Sequence, residues 1–233
     1  MPTTKTKERP ILFSDAMVRA ILDGKKTQTR RVVTPQPPES IDALHGRDLR
    51  GRAPYELTDS EGFRLTGFGF QDDSERLYRA PGQVGDRLWV REAFECLDGN
   101  GHEKCILYLA DGEQRYVEDT RPAASVLPMA ERKHPSIHMP RWASRIALEI
   151  TDVRVQRVQE ISEEDAKAEG INPIYVDTYG DERDARYIDG PGGFAYLWDS
   201  INAKRKGGQY AWEKNPWVWA ITFRRLEDGD AEG

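Results

Sequence analysis

Cysteine is scarce in this chain of 233 residues: Cys96 and Cys105 are the only two. No disulfide framework can be built from one pair. A bridge closing the hairpin Leu97–Lys104 between them is conceivable, but two free thiols are the expectation for a cytosolic protein. The metal-binding spacings CxxC and HExxH are missing, and Pro135 separates His134 from His138, so no metal site and no cofactor are expected. No window approaches 18 consecutive apolar residues, which excludes a transmembrane helix and a membrane partner of that kind. The first ten residues hold no apolar h-region, so no signal peptide is expected and the cytoplasm is the expected location. Positive charge is also in deficit. Lys and Arg total 34 against 40 Asp and Glu, a net charge of −6. Broad non-specific binding of nucleic acid needs a basic face that this balance does not supply. A small basic pocket remains open to it.

Such a local concentration is present near the start. In "AILDGKKTQTRRV", Ala20 to Val32, residues 25 to 31 carry Lys25, Lys26, Arg30 and Arg31 with no acid among them. It follows a segment patterned as a helix. Ser14 suits an N-cap, Val18, Ile21 and Leu22 form an i, i+3, i+4 stripe, and Gly24 suits the residue after the C-cap. "KKTQTRRVV" then leaves as an extended or turn segment. Residues 1 to 10 read as a disordered lead-in, residues 34 to 80 as a long partly ordered insertion, and 227 to 233 as an acidic tail. Strands are expected in "VGDRLWVREAF", "CILYLADG" and "SRIALEITDVRVQRV". The last changes parity at Thr151 and Asp152, which marks a bulge or turn. "ISEEDAKAEGI" reads as a short helix with Ser162 as N-cap, Asp165 in the capping-box position and Gly170 as its stop. Residues 172 to 192 read as loop. "FAYLWDSINAKRKG" is helical, with Phe194, Leu197, Trp198 and Ile201 on one face. "PWVWAITFRRL" is a closing strand with Trp217, Trp219, Ile221 and Phe223 on one side, and most tryptophans belong to the core. Short helices among strands without a βαβ rhythm imply an α+β protein with a mostly antiparallel sheet, and a closed barrel is compatible with that pattern.

Two features carry chemistry. A threonine hydroxyl becomes a nucleophile when a base lies beside it, and a lysine is such a base where burial or neighbouring cations disfavour its ammonium form. Lys26 has cationic neighbours, and Thr27 and Thr29 are the hydroxyls at hand. The same cations also serve as a solvated helix end opposing the helix dipole. In a regular strand Lys26 and Thr29 would face opposite sides, whereas in a turn they converge. Glu169 is the second feature. It stands in the last turn of its helix, where the dipole disfavours a carboxylate by about 0.3–1 kcal/mol and so favours the proton-donating acid. A solvated surface glutamate is the alternative at that position.

The order Gly24, Lys26, Thr27, Thr29, Arg31 resembles the G-x-K-T-x-T-x-R motif that opens ASCH domains, a branch of the PUA-like β-barrel superfamily. "VGDRLWVREAF" resembles the family's G-D-x-L strand, and "ITDVRVQRVQEISEEDAKAEGI" its strand-then-helix unit. "NPWVWAITFRRL" resembles the closing strand of larger phage and bacterial members. The resemblance covers residues 11 to about 225. It implies a single PUA-like domain over 11–226, a mostly antiparallel barrel with a few short flanking helices and long insertions near 34–80 and 97–140. It also implies a cleft for a nucleobase, a nucleoside or RNA. Small bacterial members are amidohydrolases that convert N4-acetylcytidine to cytidine and acetate. By that resemblance Lys26, Thr29 and Glu169 are catalytic, Arg31 and Thr27 bind substrate, and neither metal nor cofactor takes part. Other members are thought to bind or cleave RNA, which keeps an RNA-binding module or ribonuclease as the alternative.

Overall fold

The computed structural model describes residues 6–37, 56–58, 64–66, 69–71, 77–98, 103–118, 132–171, 174–176 and 186–227. In chain order the strands are β1 (Glu8–Leu12), β2 (Gln28–Val32), β3 (Glu56–Thr58), β4 (Arg64–Thr66), β5 (Gly69–Gln71), β6 (Leu77–Arg79), β7 (Arg87–Arg91), β8 (Phe94–Asp98), β9 (Glu103–Tyr108), β10 (Gln114–Glu118), β11 (Lys133–His134), β12 (Ala147–Arg157), β13 (Ile174–Val176), β14 (Arg186–Ile188) and β15 (Trp217–Arg225). The helices are α1 (Asp15–Leu22), α2 (Glu163–Ala168) and α3 (Gly190–Asn202). The protein is α+β, with mostly strands and few helices. The chain divides into two compact units: Met1–Gly24, Arg87–Glu149 and Arg225–Gly233 form the first, and Lys25–Asp86 with Ile150–Arg224 form the second.

In the first unit β1 runs parallel to β7, and the start of β12 pairs antiparallel with β7 through Ala147 and Trp89. β1 begins at Glu8, inside the stretch read from sequence as a disordered lead-in; pairing with β7 supplies the order that its composition did not advertise. A separate antiparallel sheet has the order β10-β9-β8-β11. Its core joins Phe94, Cys96, Ile106, Tyr108, Met139 and Ala143. Both cysteines are buried, and neither is in a disulfide. The β8–β9 register sets Cys96 opposite Ile106 and Leu97 opposite Cys105. The two thiols therefore point to opposite faces of the hairpin, which rules out a bridge between them. His134, in β11, stacks on Phe94 with ring centroids 5.1 Å apart and is spent on packing. Gly24, at φ +70, ends α1 as expected, its N–H donating to Ile21 O at 3.0 Å.

In the second unit β2 and β15 are antiparallel neighbours in the register Val32↔Val218 to Gln28↔Thr222. Trp217 to Ile221 are all buried, so this strand is covered on both faces rather than one. β12 changes parity where the sequence pattern does, with Thr151 and Asp152 exposed between buried Ile150 and Val153. Val158, Ile161, Ala166, Phe194, Trp198 and Val218 form the core cluster that seats α2 and α3. On α3 the buried face is Phe194, Trp198 and Asn202; Ile201 is exposed, which corrects the face assigned from hydrophobicity. Asn202 continues the i, i+4 row of Phe194 and Trp198, and its amide donates to Trp198 O at 3.2 Å. Residues 34–80 contribute the short hairpins β3–β4 and β5–β6, and the segment read as loop after Gly170 contributes the hairpin β13–β14. Of the stretch read as loop over 119–135, residues 119–131 lie outside the described residues, and Lys133–His134 form β11. Among the described residues the strand ladders end in unpaired edges, and no closed barrel is formed.

Candidate functional site

The second unit carries a buried charge cluster centred on β2 and α2. α2 is built by local signals. Ser162 accepts a hydrogen bond from the Asp165 N–H at 3.1 Å, and Gly170 at φ +74 turns the chain after the C-cap residue Glu169. Asp165 and Glu169 are four residues apart and therefore project from one side of the helix. That side meets the start of β2: Lys26 and Glu169 form an antiparallel bridge, and the Thr27 N–H donates to Ala168 O at 2.8 Å.

Lys26 is 1% exposed and Glu169 4%. Nζ of Lys26 donates to Oε2 of Glu169 at 2.7 Å and to the Glu169 carbonyl at 2.8 Å. Burial pushes the Lys26 ammonium below the ordinary lysine range; Glu169 opposes that shift, and Arg31 and Arg30 add to it. The sequence reading named burial and neighbouring cations as the two possible causes. The structure places desolvation first.

Arg30 and Gln28 depart from expectation. Neither is among the motif residues, yet they are only 4% and 3% exposed. Arg30 donates through NH1 to Glu169 Oε1 at 3.1 Å and to Gln28 Oε1 at 2.7 Å, and through NH2 to Asp165 Oδ2 at 2.7 Å. Gln28 Nε2 donates to Asp165 Oδ1 at 3.1 Å and to Thr222 Oγ1 at 3.2 Å. Arg154 NH2 reaches Asp165 Oδ1 at 3.0 Å. Asp165 is thus more than a capping residue. Burial acts to raise its carboxyl, but the Arg154 and Arg30 guanidiniums and the Gln28 amide outweigh it and hold the group below the usual carboxylate range. A signal for this set was available: Lys26, Gln28 and Arg30 share parity on an extended chain, and Asp165 and Glu169 share a helix face.

The remaining expected residues divide. Thr29 is 2% exposed, and its backbone pairs with Ile221. Strand alternation turns its side chain to the face opposite Gln28 and Arg30. Arg31 is half-buried and feels the charges of Glu169 and Arg205. Thr27 is exposed and Lys25 is exposed. Lys26 and Glu169 are therefore brought into contact, with Arg30 rather than Arg31 bonded to the carboxylate.

Chemically, the cluster balances two buried cations, Lys26 and Arg30, with two carboxylates, Asp165 and Glu169. Within it only the Lys26–Glu169 hydrogen bond joins a base and an acid that can exchange a proton, because a guanidinium keeps its charge. The first unit holds a different buried pair. Arg145 grips Glu92 through Nε at 3.0 Å and NH2 at 2.9 Å, binds Asp111 at 2.8 Å and Glu113 through NH1, and lies 4.1 Å over the Tyr108 ring. That guanidinium is saturated by carboxylates and is structural. Among the described residues no group of three or more His, Cys, Asp or Glu is arranged to hold a metal ion. No protein family, no curated protein and no solved structure matches this chain.

Proposed function

We propose that this chain is an ASCH-type amidohydrolase in a PUA-like frame, removing the acyl group from N4-acylated cytosine or cytidine. The observation that carries the reading is the buried 2.7 Å hydrogen bond between Lys26 and Glu169, two residues 143 positions apart that the motif pairs as base and acid. An ammonium–carboxylate pair and an amine–carboxylic acid pair differ only by the proton in that bond. Desolvation works against the Lys26 ammonium, and the amine form is the reactive one.

Thr29 faces away from Lys26 on its strand, so the nucleophile assigned is water: the Lys26 amine takes a proton from a water molecule as its oxygen adds to the acyl carbonyl. The C–N bond then breaks, its electron pair goes to the exocyclic nitrogen, and Glu169 supplies the proton that nitrogen needs. Cytidine and the carboxylic acid leave, and the proton on Lys26 passes to Glu169 through their hydrogen bond. The proton count closes on the starting pair. Arg31 and Thr27 are assigned to the nucleoside.

Incubation with N4-acetylcytidine, followed by chromatography for cytidine, tests the reading. Wild-type turnover is expected, with losses of about 10²–10⁴ for Lys26→Ala and Glu169→Gln. Thr29→Ala should keep turnover, because its hydroxyl lies on the strand face opposite Lys26; loss of turnover in a folded Thr29→Ala protein would restore the threonine as nucleophile. Absence of wild-type turnover sinks the reading.

A further inference from the structure

The two oxygens of the Glu169 carboxylate have different neighbours. Oε2 receives the Lys26 ammonium, and Oε1 receives NH1 of Arg30. The guanidinium is itself held on several sides. Gln28 and Asp165 accept from it, and it lies 5.5 Å over the Phe194 ring. Asp165 and Glu169 are like charges one helical turn apart, a repulsive spacing unless a cation stands between them, and Arg30 binds both.

We propose that Arg30, anchored by Asp165 and Gln28, is a positioning residue that reserves Oε2 of Glu169 as the one oxygen through which a proton passes to and from Lys26. A guanidinium offers only N–H donors, so a proton on Oε1 would set O–H against N–H and forfeit the hydrogen bond. The acid form of Glu169 therefore carries its proton on Oε2. Its place in turnover rests on the amidohydrolase reading; its effect on Lys26 does not. Arg30 is also a like-charge neighbour that, with Arg31, disfavours the Lys26 ammonium against the pull of Glu169. The other charges near this group are Asp165, bound by Arg30, Arg154, bound in turn to Asp165, and Arg205 beside Arg31.

The test compares wild type, Arg30→Gln and Arg30→Lys over a pH series, reading kcat and KM on N4-acetylcytidine and, separately, the Lys26 side-chain nitrogen by NMR. In Arg30→Gln the Lys26 titration midpoint should move to higher pH, and the alkaline rise of kcat/KM should move with it. kcat near neutrality should fall about 10-fold with little change in KM. Arg30→Lys keeps the charge but cannot span three acceptors. It should lose kcat without moving the pH profile, and its Lys26 Nζ protons should exchange with solvent faster. A purely structural Arg30 would lower the active fraction and leave midpoint, profile shape and exchange rate unchanged, which overturns the proposal. Should Arg30→Gln fail to fold, the exchange rate in Arg30→Lys decides. If wild type shows no turnover while the Lys26 midpoint or exchange rate responds as stated, the amidohydrolase reading falls and the positioning role stands.

Discussion

Lys26 is an expensive residue to keep charged in a protein interior, and its partners set the consequence of losing it. Replacing it with methionine leaves Glu169 buried with Arg30 as its remaining charged partner and no group to take its proton. Breaking one side of a buried pair costs about 3–5 kcal/mol, whereas replacing both sides with apolar groups costs much less. Lys26→Met should therefore destabilise the protein by about that amount in urea unfolding, and Lys26→Met/Glu169→Leu should lose less than the sum of the two single changes. Additive losses would show that the pair is not coupled. At this scale the sequence was partly readable. Lys26 and Glu169 could be named because both sit at positions where their charge is disfavoured. Arg30 was missed although its parity with Lys26 was legible, because the motif marks Arg31 and nothing local distinguishes a buried arginine from a solvated one.

α2 has six residues, too few to be stable without tertiary support. Its caps define where it starts and stops, and those were legible: Ser162 and Gly170 stand where capping chemistry requires them. What holds it in place was not legible, since Asp165 satisfied the capping pattern and concealed its second use against β2. That second use has a pH signature. The folded Asp165 carboxyl lies below the usual carboxylate range, so it adds stability above the unfolded value, and this is lost as pH falls through the lowered folded value. Asp165→Asn should cost about 1–3 kcal/mol near neutral pH, and its urea midpoint should converge on that of wild type under acid. A gap that widens on acidification would contradict the assignment. β1 and the exposed Ile201 show the same limit from the other side: a strand stabilised by a distant neighbour and a helix face chosen by Asn202 are decided by tertiary pairing, not by local hydrophobicity.

For the whole molecule, charge sets what can approach. The net charge is −6, and the most buried cations of the second unit are already matched by carboxylates. Phosphate binding draws on exposed Lys and Arg that release counterions, so long single-stranded RNA should bind no better than a Kd of about 10⁻⁴ M at physiological salt by fluorescence anisotropy. Tight, steeply salt-dependent binding would favour the RNA-binding alternative. Lys26 has one further acceptor whose meaning reaches beyond the proton exchange. By donating to the Glu169 carbonyl, its ammonium is a charged cap on the C-terminal end of α2, where a cation opposes the helix dipole. When the proton leaves Nζ, that cap becomes neutral. The end of the helix is then held less firmly when Lys26 is neutral than when it is charged, so the fraying of a single helical turn, read by amide hydrogen exchange, follows the charge on the lysine.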